Sequence, residues 1–156
     1  MILISPWAKL TTEGGPSPKN YPYWDQVVQL LKSNGRKVHQ VSCKGETDVV
    51  GCNLRSDNLE LSNLELLLRQ CETFISVDSM MQHLAWSIGE QGVVIFGLSD
   101  PDIFGHPLHI NLLKSRRYLR EQQFWLWSQV NPRPEAFVPP EQVVAATLLS
   151  ITRRKR

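Results

Sequence analysis

Short apolar runs without polar alternation recur along this chain, interspersed with segments whose apolar residues have helical spacing. Ile2 to Ser5, Thr73 to Val77 and Gly92 to Phe96 are such runs, and Lys37 to Ser42 reads as a further strand. A strand that is apolar on both sides must be covered on both sides. That requirement points to a parallel sheet between two layers of helices.

The intervening segments supply the helices. From Pro22 to Ser33 the residues Trp24, Val27, Val28, Leu30 and Leu31 share one face, and Asn34-Gly35 stops the helix. Ser62 and Glu65 are spaced as a capping box ahead of Leu64, Leu67 and Leu68. Met80 to Ile88 is helical, with Gly89 where a left-handed residue is wanted, and Pro140 to Ile151 forms a last helix. His109 to Leu113 reads as a strand. The polar stretch through Asn58 is either a short strand or a loop. Core packing is expected for the aromatic segment Phe124, Trp125 and Trp127, with a lid or a partner surface as the other uses of it. The whole reads as one doubly wound α/β domain over residues 1–152, with 153–156 a basic tail.

Charge and length exclude several functions. A net charge of +2 argues against nucleic-acid binding, and the cluster Lys114, Arg116, Arg117 and Arg120 is expected to be a solvated face. No apolar run approaches the length of a membrane span. The first residues lack the basic flank and long apolar core of a secretory signal, so a cytoplasmic protein is expected. Cys43, Cys52 and Cys71 have neither zinc nor CxxC spacing; free thiols and no metal are expected. Neither a GxGxxG fingerprint nor a P-loop occurs.

The chemistry is expected at the C-terminal edge of the sheet, where the strand order of such folds reverses. The run from Phe74 to Gly89 passes directly from a strand into a helix, and Ser79 with Gln82 has capping-box spacing. The free N–H groups and dipole of that helix start form a site for an anion. Met81, Leu84, Ala85 and Ile88 form the packing stripe, so His83 lies on the opposite side and leans back toward the helix start. His83 reads either as a phosphate donor or as an ordinary half-buried histidine, and Asp78 as a site residue or a plain cap. A second strand ends at Gly97, where a ligand can approach backbone closely, and Ser99 can offer a hydroxyl there. The loop after the first strand brings Lys9 and Lys19 toward the same edge, as pyrophosphate counter-charges or as solvated lysines.

Taken together, these motifs resemble the C-terminal half of glycosyltransferase family 9, the ADP-heptose:lipopolysaccharide heptosyltransferases. The resemblance rests on Asp78-Ser79-Met80, then Met81-Gln82, then His83-Leu84-Ala85-Trp86-Ser87-Ile88-Gly89, and on Phe96-Gly97-Leu98-Ser99-Asp100-Pro101. Lys19-Asn20-Tyr21-Pro22 and Pro140-Glu141-Gln142-Val143 match its early and late motifs. It implies a Rossmann-like domain like the C-terminal domain of a GT-B glycosyltransferase, binding a nucleotide-diphosphate-sugar without a metal. Lys19, Ser79 and His83 would contact the diphosphate, Asp78 would order the loop or contact the donor, and Gly97 and Ser99 would lie nearby. Met80 stands where the family has Gly, and a side chain there is expected to crowd the phosphates.

The resemblance covers only the donor half. The general base would belong to an acceptor domain, and nothing in the spacing marks Asp25, Asp48 or Asp100 as that base. The partners implied are a nucleotide-sugar together with an acceptor-domain protein or a homo-oligomer. A non-catalytic binding or assembly module derived from such an enzyme is the alternative.

Overall fold

The computed structural model describes residues 1–154. Its centre is a six-stranded, all-parallel sheet in the order β3-β2-β1-β4-β5-β6. The strands are β1 (Ile2–Ser5), β2 (Val38–Ser42), β3 (Leu54–Asp57), β4 (Thr73–Val77), β5 (Val93–Phe96) and β6 (Ile110–Leu113). The helices are α1 (Trp24–Ser33), α2 (Leu61–Gln70), α3 (Met80–Ser87), α4 (Pro101–Phe104) and α5 (Pro140–Arg154). This is the doubly wound architecture expected, and the order reverses between β1 and β4.

The strand residues divide between two cores. Ile2, Ile4, Ile75, Val77, Val93 and Ile95 pack with Trp24, Val27, Val28 and Leu31 of α1 and Val143, Val144 and Ile151 of α5. Leu3, Phe74, Val94 and Phe96 point the other way, onto Leu64 and Leu68 of α2 and Met81, Leu84 and Ala85 of α3. The alternation of side chains along each strand does this sorting, and burial on both faces is why the runs look uniformly apolar. Burial at roughly 25 cal/mol per Å² of apolar surface is the main favourable contribution.

Helix starts differ from expectation at two places. The second helix begins at Leu61 with Glu60 as its N-cap residue, and no side chain caps it, so Ser62 lies within the first turn. The amides of Asn63 and Leu64 bond the Glu60 carbonyl instead. Ser79 is the N-cap residue of α3, but its side chain makes no capping bond. The fully buried Gln82 gives its amide to Asp78 Oδ1 at 2.7 Å. A charge-assisted bond to a buried carboxylate outweighs the neutral bond a capping box would supply. Gly89 ends α3 with φ +76°, the left-handed conformation expected of it.

The C-terminal helix runs to Arg154, two residues into the segment expected to be a tail. The Arg154 guanidinium donates to the carbonyls of Leu68, Arg69 and Cys71 at the end of α2 and pairs with Glu90. A cation at a helix C-terminus meets the orphan carbonyls there, which is what draws it out of solvent. Residues 155–156 lie outside the described residues.

Candidate functional site

Two loops meet at the sheet edge where the order reverses. The loop after β1 is held by Tyr21, which is buried, donates its hydroxyl to Val138 O at 2.9 Å, and meets the rings of Tyr23, Trp24 and Phe137 edge-on. Asn20 Oδ1 accepts from Ala8 N at 2.9 Å, closing the loop on itself. These anchors deliver Lys19 to the end of β4, where its Nζ lies 2.7 Å from Asp78 Oδ2. Asp78 is almost fully buried, with a side-chain exposure of 4% against 19% for Lys19. Burial leaves the pair little water, so each charge depends on the other. Lys9, by contrast, is exposed in solvent.

One residue beyond Asp78, the Ser79 hydroxyl oxygen is buried and has no hydrogen-bond partner. It stands beside the first turn of α3, whose amides have no intrahelical acceptors. An orphan hydroxyl next to orphan amides is a donor set lacking an acceptor. Met80, expected to crowd this place, turns outward and is 57% exposed. The packing stripe Met81, Leu84 and Ala85 takes up the inner face, and the first residue of the helix is rotated off it.

His83 is exposed on the outer side of α3, as its spacing predicts. Its Nδ1 lies 2.7 Å from Nε2 of His106, a residue the sequence reading passed over. The His106 ring stacks on Trp86, with centroids 4.5 Å apart and planes 7° apart. Burial, with His83 beside it, holds the His106 pKa below its ordinary value. Burial also lowers that of His109, whose Nε2 bonds the Gln82 carbonyl at 2.9 Å. The one signal available in the sequence was the run Gly105-His106-Pro107-Leu108-His109, with two histidines on the loop after α4.

The end of β5 is covered from within the chain. Ser99 is buried, and a Cβ on Gly97 would lie 2.6 Å from the Phe137 ring. The lack of a side chain at Gly97 therefore serves packing against Phe137. Above Leu98 to Asp100 lies the segment 119–130. Arg120 N donates to Leu98 O, and the buried Gln123 side chain donates to Leu98 O and accepts from Asp100 N. Trp127 donates its Nε1 to Gln123 O and places its ring 4.6 Å from Lys19 Nζ, with Phe104 at 5.1 Å from the same nitrogen. Trp127 packs against the core, but Phe124 and Trp125 are 60% and 66% exposed, contrary to the packing expected of them. The buried Gln123 occupies the inward position of this segment, which turns its neighbour Phe124 outward.

The basic cluster is largely a solvated face, with Lys114, Arg116 and Arg117 exposed, and its cations find surface partners. Arg116 pairs with Asp100 and Asp102, Lys114 donates to Glu135 O, Arg117 lies over Tyr118, and Arg120 lies over Trp127. Carboxylates, a carbonyl and aromatic faces within reach hold these cations against the surface.

Two cavities open on the surface, of about 320 Å³ between Gln40 and Arg55 and about 360 Å³ beside Trp7, Tyr21 and Pro132. Neither is lined by Lys19, Asp78, Ser79 or His83. Among the described residues no three His, Cys, Asp or Glu side chains are grouped to hold a metal ion, and the cysteines are free. No helix among them is long and apolar enough to cross a membrane.

The family described as glycosyltransferase family 9 (heptosyltransferase) matches residues 2–124. No curated protein matches by sequence. Among solved structures, the ADP-heptose LPS heptosyltransferase II of E. coli superposes with a TM-score of 0.71 at 16% identity, over 100% of this chain and 47% of that one. A glycosyl transferase family 9 protein from Veillonella parvula gives 0.68 at 15%, over 98% and 46%. TibC from enterotoxigenic E. coli, described as a dodecameric iron-containing heptosyltransferase in complex with ADP-D-beta-D-heptose, gives 0.60 at 19%, over 97% and 43%. The chain thus spans less than half the length of each of these structures. At these identities the likeness establishes the fold.

Proposed function

The chain belongs to glycosyltransferase family 9, and from that premise we propose that it is the donor-binding half of a glycosyltransferase, holding a nucleotide-diphosphate-sugar over the start of α3. The observation that carries this reading is the buried, unpartnered Ser79 hydroxyl beside the free amides of the helix. A phosphoryl oxygen is the acceptor that satisfies both, and the helix dipole favours its charge.

In this reading the amides of α3, Ser79 and the outward nitrogen of His83 meet the diphosphate. Lys19 adds positive charge from the side, held in place by Asp78. These groups stabilise the charge that develops on the departing nucleotide diphosphate, which is the larger share of the catalytic task in such a transfer. No metal is needed for this, since the protein itself supplies the charge-bearing donors. Gly97 and Ser99 belong to the packed floor of the site.

A donor-binding domain is one half of a two-domain cleft. The acceptor and the general base would come from an acceptor domain or from further copies of the chain, and a GT-B arrangement of two facing domains is the form this takes. A cytoplasmic location goes with this reading.

Calorimetric titration with ADP, UDP and GDP and their sugars tests it. Binding of at least one diphosphate is expected, with loss of about tenfold in affinity for Ser79→Ala, the worth of one hydrogen bond to a charged group. Absence of binding by every member of the panel would overturn the reading.

A further inference from the structure

His106 enters no motif of the chain, yet it is the hydrogen-bond partner of His83. It is held firmly. The turn before it is tight, since a Cβ on Gly105 would lie 2.5 Å from Pro101 O, and Asn111 Nδ2 donates to the His106 carbonyl at 3.1 Å. The ring lies flat on Trp86, which sits three residues after His83 on α3 and so shares its face. Its edge meets His109 at 5.8 Å between centroids.

The contact between the two imidazoles has a consequence for the free nitrogen of His83. A phosphoryl oxygen accepts only, so His83 must present an Nε2–H to it. With Nε2 protonated, Nδ1 is either bare, accepting from His106 Nε2–H, or protonated, donating to a bare His106 Nε2. His106 can switch tautomer to serve both states, which a carboxylate, an acceptor only, cannot do.

We propose that His106 is a positioning residue: stacked on Trp86 and bonded to His83 Nδ1, it aims His83 Nε2–H at the diphosphate and supports that nitrogen whether His83 is neutral or cationic. This rests on the reading of His83 as a diphosphate ligand.

The test is a set of four proteins titrated with ADP: the unaltered chain, His83→Ala, His106→Phe and His106→Gln. Phenylalanine keeps the stack on Trp86 and removes the nitrogen; glutamine restores a hydrogen-bonding group near the Nε2 position. His106→Phe is expected to weaken ADP binding about tenfold, as His83→Ala does, and His106→Gln to recover most of the loss. Nitrogen-15 correlation spectra should show His83 protonated at Nε2 in the ADP complex of the unaltered chain, and an exchanging mixture of tautomers in His106→Phe. If His83→Ala weakens ADP and His106→Phe does not, the positioning role is wrong while the diphosphate reading stands. If His83→Ala binds ADP as well as the unaltered chain, the reading of His83 is wrong and the positioning role falls with it.

Discussion

Lys19 and Asp78 bridge the reversal of the sheet: their ion pair, 2.7 Å long, joins the loop after β1 to the end of β4. The two strands they follow lie side by side, so a residue in the loop and one at the strand end meet although 59 positions separate them. The contact pairs the lysine most suited to a diphosphate with a buried carboxylate. It also fixes where that lysine stands, since the rings of Phe104 and Trp127 close over it.

Removing one partner should cost more than removing both. Lys19→Met leaves a 4%-exposed carboxylate with only Gln82 beside it, and a loss of about 3 kcal/mol in unfolding free energy is expected, the low end for a broken buried pair because Lys19 is partly solvated. The double change Lys19→Met with Asp78→Asn should recover most of it. Urea unfolding of the four members of this cycle measures the coupling.

A methyl group added at Gly97 has nowhere to go. Gly97→Ala should destabilise the fold by about 1–3 kcal/mol, because the new Cβ would meet the Phe137 ring at 2.6 Å. Pairing it with Phe137→Leu should restore part of the loss. Equal stability of Gly97→Ala and the unaltered chain would show that the ring can move aside.

The segment 119–130 depends on one buried amide. Gln123→Ala strips a partner from Asp100 N and from Leu98 O, a cost of about 1–3 kcal/mol that falls on local opening of the segment. Limited proteolysis should then cut near the exposed Phe124 and Trp125 faster than in the unaltered chain, with the rest of the domain resistant.

Acid should destabilise the fold through its histidines. Burial is the chief cause that lowers the pKa of His39, His106 and His109 from the ordinary 6.5. The unfolded chain then binds more protons than the fold as pH drops past 6.5, so stability is full above that value and declines below it toward the folded values. The thermal midpoint should be lower at pH 5.5 than at pH 7.5. His109→Gln, which keeps a donor for the Gln82 carbonyl, should flatten the dependence.

Much of this architecture is written in local pattern. Ile2 to Ser5 and Val93 to Phe96 are apolar on both faces because helices cover both, and the periodic residues of α1 and α5 meet them as their spacing requires. Gly89 and Asn34-Gly35 end their helices where a left-handed or terminating residue stands. His83 is exposed because the stripe of Met81, Leu84 and Ala85 leaves it the outer face. Each of these periodicities is set within a few residues, so the amino-acid order alone determined the doubly wound architecture and where α3 begins at the end of β4.

What Gln82, Gly97, Arg154 and His106 do was decided elsewhere. Gln82 left the capping pattern because a buried carboxylate was nearer, Gly97 faces a ring from residue 137, and Arg154 closes the end of α2. His106 meets His83 from a loop 23 positions away. Such pairings follow from which segments the sheet order brings together, and desolvation then makes each polar group take the partner in reach. No local periodicity encodes that choice, so only the tertiary structure decided it.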